Sequence, residues 1–185
     1  MPPKVKNSKE EILNTALEIA RREGEQGLNA RAVATALGCS TQPIYFNFGS
    51  MEHLKKAVIN KSYDLYEDCI QSEIAKGKYT PYEASQIAYI RFAKKETELF
   101  KLLFMSGNVP DAEENAAELA HCAEMIHEET GISKTESVYF HLEMWACVHG
   151  IATMIATGRL AWDGKLITRL LADVQEGLLE KYEAQ

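Results

Sequence analysis

The sequence predicts an all-α fold of about nine helices. Three observations predict it. Apolar residues recur at three- and four-residue spacing along nearly all of the 185 residues. No segment alternates apolar and polar with the period of two that a half-buried strand needs. Serine, threonine and aspartate start signals are followed, at helical lengths, by glycine stops.

Each element has its own signal. Ser8-x-x-Glu11 is a capping box, and Ile12, Leu13, Ala16, Leu17, Ile19 and Ala20 follow it; Gly24 and Gly27 end that first helix. A short helix is expected over residues 30–37, stopping at Gly38, and a second over about 41–47. Ser50 opens a long helix to about Gly77, with Leu54, Ala57, Val58, Leu65 and Ile70 among its apolar positions. Thr80-Pro81-Tyr82-Glu83 places proline at the first helical position and glutamate three after the cap. That helix carries Ile87, Ile90 and Phe92. A short apolar segment runs from Leu99 to Met105 and ends at Ser106-Gly107-Asn108. Pro110-Asp111 opens a helix to about Thr130, closed by Gly131. Ser133-x-x-Glu136 caps the next, which reaches Gly158, and Asp163-Gly164 precedes the last, to about Tyr182.

Composition narrows the class. At 46 % hydrophobic and 25 % charged residues the chain builds an ordinary core rather than a disordered tail. No apolar run reaches the ~18 residues that cross a bilayer. The opening MPPKVKNSKEEIL lacks a secretory apolar core, so a cytoplasmic protein is expected. Cys39, Cys69, Cys122 and Cys147 form no C-x-x-C pair, which argues against a zinc site or a disulfide framework. The net charge of −7 is unevenly spread. Residues 1–61 hold nine lysines and arginines against six acids, net +3, while the remainder holds 11 against 21, net −10. A basic head on an acidic body suits a nucleic-acid partner at the N-terminal end.

Residues 28–54, LNARAVATALGCSTQPIYFNFGSMEHL, carry the most specific pattern: a helix–turn–helix running into a supporting helix. Such a reader needs a small residue in its first helix, a tight turn, and a second helix free on one face. Ala34 is small where the helices cross, and Gly38 suits a left-handed turn. Ser40 or Thr41 is expected to cap the second helix, with Pro43 in its first turn. Ile44 and Phe48 face inward, leaving Thr41, Gln42, Tyr45 and Phe46 outward. Gln42 can pair with an adenine edge, Thr41 with a base or phosphate, and Tyr45 with a phosphate; Phe46 suits thymine methyls. Cys39, in the turn, is expected to be a buried small residue rather than a redox group.

At these residues the first 60 or so positions resemble the TetR/AcrR family of bacterial transcriptional regulators. The resemblance rests on Gly24…Gly27-Leu28, on Val33-Ala34…Leu37-Gly38, on Ile44-Tyr45-Phe46-Asn47-Phe48-Gly49-Ser50 and on Glu52-His53-Leu54. It implies a three-helix DNA-binding domain over residues 1–50 with a recognition helix at about 41–47. It also implies an effector-binding and dimerisation domain over residues 51–185. It implies a homodimer that represses transcription from an inverted-repeat operator and lets go when a small effector binds. The DNA-facing residues are then Arg31, Ser40, Thr41, Gln42, Pro43, Tyr45, Phe46, Asn47 and Lys55. Two departures stand out. Met51 replaces the lysine that relatives carry at the start of the fourth helix, where Lys55 or Lys56 can compensate. Asn29-Ala30 precede Arg31 where threonine is usual, and Asn29 can still cap. Further along, Trp145-x-x-Val148-His149-Gly150 resembles the Trp/His/Gly signature of one C-terminal subgroup.

The last two helices carry broad apolar stripes. Val138, Leu142, Trp145, Val148, His149, Ala152 and Ile155 mark one; Leu166, Ile167, Leu170, Leu171, Val174, Leu178 and Leu179 mark the other. Together they exceed what one short body buries, so a four-helix interface between two copies is expected. An effector pocket is expected among Tyr89, Phe92, Phe100, Phe104, Met105, His121, Met125, His141 and Trp145, for an apolar or aromatic effector.

Catalytic signals are absent from the sequence. It contains no G-x-S-x-G, Walker loop, G-x-G-x-x-G or H-E-x-x-H, so neither an enzyme nor a cofactor is expected. The histidines lack the i, i+4 spacing of a helix-borne metal pair, and no metal is expected. The competing reading is a helical adaptor that binds protein and has lost DNA binding.

Overall fold

The computed structural model describes residues 7–107, 112–161 and 163–183. Nine helices make up the described residues, and no strand appears among them. They are α1 Lys9–Gly27, α2 Ala30–Leu37, α3 Gln42–Phe48, α4 Met51–Ile74, α5 Pro81–Lys95, α6 Thr97–Phe104, α7 Ala112–Thr130, α8 Lys134–Ala156 and α9 Gly164–Glu183. The Pro110-Asp111 start expected for α7 lies outside the described residues.

Local chemistry explains the boundaries. Ser8 and Ser133 each form the full reciprocal capping box, with Glu11 and Glu136. Thr80 and Glu83 exchange the same pair of bonds, at 3.1 and 3.2 Å. The Asn29 side chain accepts from the Ala32 amide, and Asp163 Oδ1 accepts from Lys165 and Leu166. Ser50 Oγ accepts from the His53 amide at 3.2 Å, starting α4. Gly38 closes α2 in the left-handed conformation (φ 64°), as the turn requires.

One expected cap does not form. Thr41 precedes α3, yet its side chain makes no capping bond. Its backbone is already helical (φ −73°, ψ −14°), whereas a capping hydroxyl needs an extended backbone to reach over the first turn. Pro43 in that turn removes one orphan donor.

The chain folds as two compact units, Met1–Leu65 with Glu96–Asn108, and Tyr66–Lys95 with Val109–Gln185. In the first unit α1 packs against α2, α3 and α6. Its core holds Ile12, Ala16, Leu17, Ala20, Val33, Ala34, Ile44, Leu54, Val58, Leu99, Phe100 and Leu103. Each fully buried aliphatic or aromatic side chain there contributes roughly 1.5–3 kcal/mol relative to exposure. In the second unit α8 is central, packing on α5, α7 and α9, and α5 also meets α7. Its core is built on Ile87, Ile90, Phe92, Ile126, Phe140, Met144, Val148, Ile151, Ile167 and Leu171.

The apolar stripes expected on α8 and α9 split in two. Val148 and Ala152 face the unit's own core, as do Ile167 and Leu171. Leu142, Trp145, Leu166 and Leu170 are exposed, together with Tyr139 and Met154. The stripe is therefore two faces of one helix, one satisfied internally and one left open.

Candidate functional site

The N-terminal unit presents α3 as a small platform. Ile44 (0 % exposed) and Phe48 anchor its inner side. Gly49 (φ 78°) ends it, donating its N–H to the Tyr45 carbonyl at 2.8 Å. The outer side carries exposed Gln42, Tyr45 (47 %) and Phe46 (88 %). An aromatic ring left almost wholly in water gains nothing for the fold, so its cost is offset elsewhere.

The other residues expected at this surface take different places. Arg31 at the start of α2 and Ser40 in the turn are exposed, and Thr41 and Pro43 are half-buried. Asn47 is turned onto its own helix: Nδ2 donates one of its protons to the Pro43 carbonyl at 2.7 Å. Lys55 is half-buried and pairs with Glu25 of α1 at 3.5 Å, whereas Lys56 is exposed. Met51 is half-buried. Cys39 is only half-buried, not enclosed as expected, because the turn residue sits at the unit's edge.

The residues expected to line an effector pocket divide between the two units. Phe100 is fully buried in the first unit and packs on Phe104, ring centroids 5.2 Å apart; Tyr63 meets Phe104 edge-on at 6.1 Å. Met105 is exposed and lines a groove of about 430 Å³ with Leu102, Glu23 and Glu98.

In the second unit an aromatic group forms from separate helices. Tyr66 of α4 stands edge-on to Tyr89 and Phe92 of α5, at 5.8 and 5.5 Å. Tyr82 Oη and His141 Nδ1 stand 3.1 Å apart, and Tyr89 Oη and His149 Nδ1 2.8 Å. Trp145 stacks on the His149 ring at 5.3 Å while remaining 50 % exposed. Met125 is half-buried and His121 exposed. Burial pushes the Tyr66 and Tyr82 phenols up and the His141 and His149 imidazoles down, so all four are held neutral. Burial likewise raises the Cys122 thiol to about 11.

The residues expected from the sequence to line a pocket did not include Tyr82 and His149, which the fold brings into this aromatic group. The signal was present: Tyr82, Gln86 and Tyr89 are polar groups spaced i, i+4, i+7 on a helix whose burial is nearly continuous. Among the described residues no three His, Cys, Asp or Glu side chains come together as metal ligands. None of the described helices is long and apolar enough to cross a membrane.

A helix–turn–helix platform in an all-helical, two-unit chain defines the class, a DNA-binding transcriptional regulator. A sequence profile of the tetracyclin repressor-like C-terminal domain matches residues 83–174, a stretch that contains Trp145, His149 and Gly150. The fold is similar to that of a TetR-like transcriptional regulator from Rhodococcus sp. RHA1 (TM-score 0.65, 16 % identity, 100 % of this chain and 99 % of that one). It is similar to a TetR family regulator from Vibrio parahaemolyticus (TM-score 0.64, 16 % identity, 91 % and 96 % covered). It is also similar to the multidrug binding protein EbrR, solved with imidazole (TM-score 0.61, 13 % identity, 91 % and 92 % covered). No curated protein matches the chain. The chain belongs to the TetR family.

Proposed function

We propose that this protein is a cytoplasmic, homodimeric repressor that reads an inverted-repeat operator through α3 and releases it when a small effector binds. Residues 1–50 supply the DNA contacts, and residues 51–185 supply dimerisation and effector binding. The observation that carries the reading is the outer face of α3, where Gln42, Tyr45 and Phe46 stand exposed over buried Ile44 and Phe48. Gln42 and Phe46 suit base edges, and Tyr45 suits a phosphate. Arg31 and Lys56 add positive charge near them in sequence, with Lys55 partly neutralised by Glu25.

A second copy covers the open face of α8 and α9. Six large apolar side chains lie exposed on these two helices, and a symmetric four-helix packing removes them from water. The effector site is in the body around Tyr89, His141 and Trp145. Effector binding favours a body geometry in which the two heads no longer match the half-sites.

Selection of duplexes from a random DNA library at moderate salt tests the reading. An inverted repeat with half-sites a helical turn or more apart is the expected product. Failure to enrich any sequence, with the protein folded and dimeric, refutes it and leaves the protein-binding adaptor as the surviving account.

A further inference from the structure

Phe46 is the most exposed large apolar side chain among the described residues, with 88 % of its surface in water. The helix that carries it has no charge: Gln42–Phe48 holds no lysine, arginine, aspartate or glutamate. Positive charge near it in sequence belongs to other elements, Arg31 on α2 and Lys55 and Lys56 on α4, and Lys55 is paired with Glu25. Cations of that kind hold the phosphate backbone, which carries no sequence information. Base reading therefore falls to the neutral face of α3.

Gln42 and Phe46 stand four residues apart and are both exposed, so they share one edge of α3. Four residues rise ~6 Å along a helix axis. Successive bases of one strand lie about 3.4 Å apart. With α3 along the major groove, the two side chains address positions about two base steps apart.

The chemistry of each side chain narrows what it reads. Guanine is read chiefly by arginine or lysine, and α3 has neither. A glutamine amide matches N6 and N7 of adenine. A phenyl ring offers no donor and no acceptor. Laid over cytosine it would bury the N4 amino group without a partner. Laid over thymine it covers the C5 methyl, and two apolar surfaces leave water together.

We propose that Phe46 is a specificity-determining residue that covers a thymine C5 methyl, with Gln42 on an adenine about two base steps away, so that α3 reads A·T pairs in each half-site. This role rests on α3 being the operator-binding helix, and it adds the base and the atom that the helix selects.

The test uses the full-length protein and the inverted repeat recovered from the random duplex library, resynthesised with single methyl groups removed or added. Uracil in place of thymine removes only the methyl. At the thymine under Phe46 it should weaken binding about fourfold per half-site, the effect of returning one methyl group to water. Phe46→Ala should bind the thymine and uracil duplexes equally. A 5-methylcytosine·guanine pair at that position should bind about fourfold better per half-site than cytosine·guanine, again only with Phe46 in place. Half-sites without A·T pairs, uracil without effect at every thymine, or equal uracil sensitivity in the unmodified protein and Phe46→Ala each overturn the proposal while leaving DNA binding standing. Enrichment of no sequence overturns both together. The methyl comparisons are read first in the unmodified protein, so the result does not depend on the variant folding.

Discussion

Arg21 Nε on α1 and Glu96 Oε2, at the threshold of α6, meet at 2.7 Å across 75 positions of sequence. The pair marks where α6 belongs: with the N-terminal helices and not with the body helices that flank it in the chain. Its strength is modest, because both side chains remain a quarter to a third exposed and such pairs contribute ~0–1 kcal/mol. The packing energy comes from Leu99, Phe100 and Leu103, which are buried in the same unit.

Glu96→Gln is therefore expected to lower unfolding free energy by less than about 1 kcal/mol, and Phe100→Ala by about 3–5 kcal/mol. Urea denaturation of the two variants checks the ordering. A larger loss in Glu96→Gln would assign the energy to the ion pair.

Gly24 interrupts α1 at φ 68°, ψ −171°, a region that residues with a side chain essentially avoid. An added Cβ would stand 2.8 Å from Glu98 Oε2, although that carboxylate can swing aside. The backbone thus sets the cost. Gly24→Ala is expected to destabilise by roughly 1–3 kcal/mol, read from the urea midpoint. A neutral result would mean the α1 break relaxes freely.

Phe46→Ala removes a ring that touches little of its own fold. Stability should stay within about ±0.5 kcal/mol while operator affinity falls. Tyr45→Phe should weaken binding to all duplexes by about 1 kcal/mol, and Gln42→Ala should relax discrimination between operators. Fluorescence anisotropy on operator and random duplexes separates these effects. Equal loss on both duplexes in Gln42→Ala would remove the base-reading role.

Trp145 and Leu170 lie on the open face of α8 and α9. An aspartate at either position is expected to convert a dimer into a monomer in sedimentation at micromolar concentration. Unmodified protein that sediments as a monomer would contradict the interface outright.

His141 is held neutral by burial, below its ordinary value of 6.5. The sign follows from proton counting. Above about pH 6.5 neither state binds the proton and the group is silent. Below it the unfolded chain takes up a proton that the folded chain refuses, so stability falls with pH until the folded-state value is passed. His149, depressed by the same cause, adds to the slope. His141→Gln should flatten the pH dependence of the thermal midpoint between pH 6.5 and 5. An unchanged slope would place the titration elsewhere.

What the sequence by itself determined was local. The helix starts at Ser8, Thr80, Ser133 and Asp163 and the stop at Gly38 depend on groups two to four residues apart, and such pairs can be read directly. The inward Ile44 and Phe48 and the outward Tyr45 and Phe46 follow from helical period alone. The tertiary structure decided the rest. Periodicity marks a face as apolar without naming its partner, so the α8 stripe read as one surface and folded as two. Tyr82 with His141, Tyr89 with His149 and Arg21 with Glu96 join positions 59, 60 and 75 apart. No local spacing encodes such pairings; only the packing of α5 on α8 and of α1 on α6 brings those side chains into contact.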